Sequence, residues 1–410
     1  MHEQLTRISF SNTKQGFIHK TDKQLKNAHQ LFNMMNYPLL VKAGTIITPL
    51  LLKWKFPING LIEKTIFAQF VGGKSLPDTA PVINNLKQHN VAVILDYGAE
   101  GRENEESFEA ATSEFLRIIE YASGNNSIPF ISVKLTAIAR FALLEKCNSL
   151  VTPDNCTLNT SSLTTAEAAE WQAVMQRLHR IAQQAALHQT SVLIDAEESW
   201  IQDTIDAATT ELMRMYNLET AVVYNTIQLY RKRGYTFLKQ SHELAQADGY
   251  ILAVKLVRGA YMEKERKRAS ELNYSSPIQD TKEDTDKAFN QAVAYCIDFH
   301  QSIHTIVASH NEHSNLMAVR LMENKSTNNE SLPVHFSQLY GMSDNITYNL
   351  AKGGFSVSKY LPYGAIADVI PYLMRRAQEN SSVAGQTGRE LSLIKKEIQR
   401  RSLSKKAGIE

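Results

Sequence analysis

Residues 251–261 read Ile-Leu-Ala-Val-Lys-Leu-Val-Arg-Gly-Ala-Tyr. Ile251–Val257 is a short, almost wholly apolar run with the look of a β-strand, and it closes on charge at Lys255 and Arg258. Seven more runs of this kind occur: Val91–Tyr97, Phe130–Thr136, Ser191–Asp195, Ala221–Gln228, Thr305–Ser309, Val334–Leu339 and Phe355–Tyr360. Helix-length segments separate them, with plain helical patterns at Ser107–Tyr121, Ala166–His188, Asp286–Phe299 and Ser314–Asn324. Strand–helix alternation predicts a parallel sheet, and eight strands are the number that closes a (βα)8 barrel. A doubly wound nucleotide-binding sheet is the competing architecture. No run here is followed by a Gly-x-Gly-x-x-Gly loop, and Gly72-Gly73 and Gly353-Gly354 are isolated pairs. The expectation is therefore an α/β TIM-like barrel, somewhat distorted, over residues 86–385. A helical N-terminal region is expected over 1–85 and a basic helix or tail over 386–410.

Composition allows such a fold and excludes other classes. Of 410 residues, 43% are hydrophobic and 21% charged, as in ordinary globular proteins. A formal charge of +2 argues against a nucleic-acid binder. Cys147, Cys156 and Cys296 have no metal-ligand spacing and are too few for a disulfide framework, so a reducing compartment fits. His310 and His313 lack a third ligand at a telling interval, so no metal is expected. The N-terminus lacks the order of a signal peptide, which predicts a cytoplasmic protein, at most peripheral on the inner face of a membrane. Tyr37–Pro57 is apolar but broken by lysines and prolines. A packed helix is expected there, with membrane-surface contact as the alternative. Asn148–Thr165, rich in Ser, Thr and Asn, predicts an inserted loop.

Barrel enzymes carry their working residues at the C-terminal ends of strands. Those ends are polar in this chain: Asp96 and Glu100, Lys134, Asp195 with Glu197 and Glu198, Gln228, Lys255 and Arg258, His310 and Asn311, Gln338. A ring of such groups, each preceded by apolar residues, reads as a site, since isolated buried charges are costly. Beyond the last run, Pro362 and Gly364 are expected to end the strand. On the helix that follows, Tyr372, Arg375, Arg376 and Glu379 fall at i, i+3, i+4 and i+7 and share a face, while Val369, Ile370, Leu373, Met374 and Ala377 make the apolar one. Pro371 has to sit near a helix start or a kink. Two adjacent guanidinium groups suit a single carboxylate, and Glu379 one turn on could hold them in place.

Tyr360-x-Pro-Tyr-Gly364 followed by Tyr372-Leu-x-Arg-Arg-x-x-Glu-Asn380 resembles the substrate helix of the FAD-dependent proline dehydrogenases. Ser132–Ala137, Leu193–Glu198, Gln228-Leu-Tyr230, Lys255–Tyr261, Ser309-His-Asn311 and Leu339–Met342 resemble further motifs of that family in the expected order. The resemblance implies that Arg375, Arg376 and Lys134 bind the carboxylate of L-proline, with Tyr360, Tyr372 and Leu339 around its ring. It implies that Ala196, Gln228, Lys255, Arg258, Gly259, Ala260, Ser309 and His310 hold FAD, that Asp195 and Lys255 serve catalysis, and that the last barrel helix covers the active site. Lys255 stands where many bacterial relatives carry Arg, and Ser309 where Thr is usual. The implied reaction is oxidation of L-proline to Δ1-pyrroline-5-carboxylate, with electrons passed to a membrane quinone. With little chain beyond the barrel, the product is expected to pass to a separate pyrroline-5-carboxylate dehydrogenase. Three alternatives remain: a hydroxyproline dehydrogenase of the same fold, which Tyr360 disfavours by crowding; a flavin-free lyase using Lys134 or Lys255 as a Schiff-base amine; and an inactive binding protein.

Overall fold

Each of the eight apolar runs contains a strand in the computed structural model. The structure describes residues 8–53, 58–98, 101–152, 155–325, 332–382 and 386–407, with side chains at all of these except 38, 46, 48–53, 379–382, 386 and 387. The strands are β1 (Ala92–Tyr97), β2 (Phe130–Val133), β3 (Ser191–Ile194), β4 (Val223–Gln228), β5 (Leu252–Val257), β6 (Ile303–Ala308), β7 (Val334–Leu339) and β8 (Val357–Tyr363). They close into a barrel in which every strand lies beside its neighbours in sequence. Parallel pairing fixes the register: Asp96 sits against Ser132, Val133 against Ile194, and Thr226 against Lys255. The chain divides into two compact units, residues 94–337 and residues 1–93 with 338–410.

In the unit 94–337 the strand interiors are apolar and buried: Ile131, Leu193, Ile227, Leu256 and Ile306 are all sealed from solvent. Helices coat them with matching faces, Phe115, Ile118 and Ile119 from Glu105–Ala122, and Leu178 and Ile181 from Thr165–Leu187. Local chemistry starts these helices. Asn104 accepts the Ser107 amide at 2.9 Å, and Thr164 with Glu167 forms a reciprocal capping box. The stretch predicted as a loop, Asn148–Thr165, contains a small antiparallel ladder, Val151–Thr152 against Thr157–Leu158. The second run stops at Val133, short of Thr136, because the Thr136 amide donates to the Glu197 carboxylate at 3.1 Å and so leaves the ladder.

The other unit has its own core, in which Phe17, Leu25, Phe32, Phe70, Val369, Leu373 and Ile394 pack together. One expectation is corrected here. Strand β8 runs through Pro362 to Tyr363; the proline has no N–H to lose, and its carbonyl accepts the Gly72 amide at 2.8 Å. Only Gly364, at φ +145°, ends the strand. Pro371 lies inside the Ile366–Ser382 helix, beyond its first turn, on the exposed side, where water can serve the carbonyl that its ring leaves without an amide. The segment expected to pack forms the helix Pro38–Lys53 and packs through Val41, while Leu39, Leu40 and Ile47 on it face solvent.

The C-terminal stretch expected as a basic helix or tail forms the helix Gln386–Lys406. Glu397 is fully buried and paired with Arg400 and Arg401, and Arg401 also donates to the Phe17 and Lys20 carbonyls. Gly341, at φ +80°, lets the chain pass so close to Gln69 that a Cβ there would lie 2.0 Å from the Gln69 carbonyl oxygen.

Candidate active site

Four charged side chains from four strand ends meet in the unit 94–337. Lys134 follows β2 and donates to Asp96 of β1 at 3.0 Å. Its ammonium also lies 3.6 Å from Asp195, which follows β3. Lys255, pointing inward from β5, donates to the other Asp195 oxygen. All four residues are buried. Asp195 is thus flanked by two ammonium groups, and the quartet carries no formal net charge. Alternation along the strands explains the convergence: the polar residue occupies the inward position at the rim, and parallel register brings those positions to one level.

Further polar groups follow the same strands. Glu197 accepts from Thr136 twice, from the amide at 3.1 Å and the hydroxyl at 2.6 Å. Burial pushes its carboxyl up to about 7, against the lowering effect of those two donors. Its amide donates to Gln202 at 2.8 Å, and its carbonyl accepts from the Gln228 side chain at 2.7 Å. Gln228 also donates to the Tyr230 hydroxyl at 2.7 Å and accepts from Arg231 at 3.2 Å, so its amide plane is fixed. Gly234 packs behind it, and a Cβ there would come within 2.3 Å of the Gln228 carbonyl.

After β5 the chain turns through Gly259 and Ala260, both exposed, into the Met262–Glu271 helix, whose N-cap Tyr261 makes no side-chain hydrogen bond to it. Helix-start amides without a side-chain cap, small exposed residues and a nearby guanidinium form a donor set for an anionic group such as a phosphate. Arg258 is the guanidinium: it donates to the Ser314 hydroxyl at 2.7 Å, pairs with Asp286 and lies 5.0 Å from the Phe289 ring centre. Desolvation lowers its pKa to about 10. At the end of β6, buried Ser309 accepts the Asn311 amide at 3.1 Å, and His310 is half-buried beside it. Ala196 is likewise half-buried.

The remaining expected residues belong to the other unit. Leu339 and Tyr360 are half-buried at the ends of β7 and in β8, and the Tyr340 amide donates to the Tyr360 carbonyl at 2.9 Å. Tyr372 is buried beside Val369, Ile370 and Leu373 and shares its face with Arg376. Arg376, one turn on, is drawn in after it, with its guanidinium carbon 5.3 Å from the Tyr372 ring centre and only 7% exposed. Arg375 is half-buried. The Glu379 side chain and residue Glu100 lie outside the described positions.

One cluster escaped the sequence reading. Asp344 is buried and accepts from Lys359 at 2.8 Å, with Lys20 and His19 each at 3.3 Å. Lys359 also donates to the Met342 carbonyl at 2.5 Å, and Glu390 accepts the Ser343 amide at 3.0 Å. Burial holds His19 down at about 4 and pushes Glu390 up to about 7. The one local signal was a lysine inside an apolar strand.

Charged side chains converging at the C-terminal rim of a closed parallel barrel define an enzyme of the (βα)8 class. Residues 80–389 match the family described as proline dehydrogenase, and the chain belongs to that family. Among its relatives, the carbapenem antibiotics biosynthesis protein CarD of Pectobacterium carotovorum subsp. carotovorum is 32% identical over 343 residues, covering 84% of this chain and 86% of that one. Hydroxyproline dehydrogenase of Xenopus laevis is 30% identical, covering 90% and 85%. Mitochondrial proline dehydrogenase 1 of Homo sapiens is 37% identical over 244 residues, covering 59% and 41%. A crystal structure of proline utilization A from Bdellovibrio bacteriovorus, inactivated by N-propargylglycine, shares the fold with a TM-score of 0.67 at 20% identity, over 90% of this chain and 38% of that one.

Proposed function

We propose that this protein is an FAD-dependent L-proline dehydrogenase that forms Δ1-pyrroline-5-carboxylate. The observation that carries the reading is Asp195 set between the ammonium groups of Lys134 and Lys255 at the rim of the barrel. The donors around Arg258, Gly259 and Ala260 suit the pyrophosphate of a dinucleotide, and Ser309, His310, Ala196 and the fixed amide of Gln228 suit its flavin end. Bound there, a flavin supplies the hydride acceptor that no side chain can provide.

This chain's own residues bind and orient. Arg375 and Arg376 take the substrate carboxylate, Arg376 being the stronger partner because it is the more desolvated. Leu339, Tyr360 and Tyr372 shape the ring pocket. Lys134 contributes positive charge, tempered by its two carboxylate partners. Asp195 orients the substrate amine, since both of its oxygens already face ammonium groups, and Lys255 places positive charge beside the cofactor. A Schiff-base role for either lysine fits poorly: each is held against a carboxylate, whereas an amine nucleophile must be neutral. Electrons leave to a quinone, and the product is the substrate of a pyrroline-5-carboxylate dehydrogenase.

Hydroxyproline is the second reading, favoured by the similarity to the Xenopus laevis enzyme. The test is the visible spectrum of the purified, FAD-supplied protein before and after anaerobic addition of each amino acid. Flavin bands that bleach with L-proline and persist with trans-4-hydroxy-L-proline are expected. The opposite pattern transfers the assignment to hydroxyproline, and an absence of flavin bands refutes both.

A further inference from the structure

Arg231, in the turn after β4, carries a buried charge that the fold does not offset. It is 7% exposed, and among the described residues it forms no ion pair. Its one side-chain hydrogen bond runs from Nη1 to Gln228 Oε1 at 3.2 Å, and no protein acceptor among those residues faces Nε. Asp206 lines the same small cavity, yet its Oδ1 accepts from the Gln202 and Asn225 amides at 2.9 Å each. A buried cation without a counter-charge is costly. The turn does not need it. The Arg231 amide donates to the Gln228 carbonyl at 3.1 Å, the Gly234 amide donates to the Arg231 carbonyl at 3.0 Å, and residue 231 is bridged to Ile278. Backbone bonds hold the position, so the side chain is free to serve another purpose.

That purpose follows from the hydrogen-bonding capacity of Gln228. Its Nε2 gives one hydrogen to the Glu197 carbonyl and the other to the Tyr230 hydroxyl, each at 2.7 Å. Its Oε1 has two lone pairs, and Arg231 takes one of them. A guanidinium only donates and a backbone carbonyl only accepts, so these two partners decide which end of the amide is oxygen. One acceptor position is then all the capacity that Gln228 has left. An oxidised flavin ring carries a single N–H, at N3, and its other polar atoms accept. We propose that Arg231 is a positioning residue, which holds Gln228 as the acceptor for that ring N–H. The inference rests on the FAD reading given above and assigns the residue that orients one of its contacts.

The test is equilibrium ultrafiltration of the full-length protein with FAD and, separately, with FAD methylated at ring N3. The parent should hold FAD about tenfold more tightly than the methylated form, a comparison that needs no variant. Arg231→Met should weaken FAD binding about tenfold, and Arg231→Lys, which keeps a donor of similar reach, should recover most of that loss. Gln228→Leu should weaken FAD as much as Arg231→Met does and erase the preference over the methylated form. Adding Arg231→Met to Gln228→Leu should cost nothing further, because the arginine acts through the amide. Circular dichroism of the variants should match the parent, since the turn is held by its backbone. Equal binding of the two flavins by the parent, an Arg231→Met protein that binds FAD as the parent does, or losses that multiply in the double variant each overturn the proposal. A parent that takes up neither flavin refutes the FAD reading and the inference with it. A parent that shows the expected pattern but is not bleached by L-proline loses the proline assignment alone, and the role of Arg231 stands.

Discussion

Replacing Asp195 by Asn keeps the shape of the side chain and removes one charge from the buried quartet. The Lys134–Asp195 separation of 3.6 Å corresponds to about 4–5 kcal/mol of attraction at an effective dielectric of 20, before desolvation is counted. Lys134 keeps Asp96 at 3.0 Å, so the larger loss falls on Lys255, buried and facing the altered oxygen. Breaking a buried pair on one side costs roughly 3–5 kcal/mol. D195N should therefore lose about 3 kcal/mol, a large share of the stability of any domain. Lys255→Met should lose a similar amount by taking one of the flanking ammonium groups from Asp195. Together they should cost about as much as either one, since removing both partners leaves no orphaned charge. Urea unfolding of the parent, the two single variants and the double variant, followed by far-ultraviolet circular dichroism, gives the cycle. A coupling energy of about 2–3 kcal/mol is expected. Losses that add to within about 0.5 kcal/mol would show that the two side chains do not interact, and would remove the quartet from the mechanism.

Arg376→Met should raise the apparent proline Michaelis constant at least about tenfold in a dye-linked assay, because a desolvated charge-assisted contact is worth roughly 2–5 kcal/mol; unchanged kinetics would take the carboxylate away from Arg376. Gly341→Ala should destabilise by about 3 kcal/mol or more, because the left-handed backbone at φ +80° and a Cβ 2.0 Å from the Gln69 carbonyl act together; a melting temperature equal to the parent's would contradict the close passage. Glu390 holds its proton up to about pH 7 against an ordinary 4.5, so its contribution to stability is complete below about 4.5 and is lost as pH rises through 7. That gap corresponds to ~3 kcal/mol, so Glu390→Gln should match the parent near pH 4 and exceed it at pH 8 by up to that amount. Parallel stability–pH curves for the two proteins would dismiss the buried proton.

Strand and helix positions were legible because periodicity and composition are local, and the eight runs differ from the strands mainly at their ends. Those ends moved for reasons that lie far along the chain: the Thr136 amide leaves its ladder for Glu197, and Pro362 stays in its strand because Gly72 bonds its carbonyl. The site residues were legible as a ring of polar strand ends, since a barrel puts its chemistry there. Their partners were not. Asp96 stood in that ring without a role, and nothing near it names Lys134, 38 residues on, as its mate. Tyr372 keeps the face it shares with Arg376, and only packing shows that this face borders the core. The buried knot of His19, Lys20, Asp344, Lys359 and Glu390 had almost no signature, because its members come from separate elements that are only brought together on folding. The sequence by itself determined which segments are strands, that they form a barrel, and which rim residues carry charge, because side-chain period and local polarity are properties of neighbours. Tertiary structure alone decided which charge offsets which and which helix face is left to solvent, because the desolvation cost of a buried charge is met by whatever partner the closed fold sets beside it.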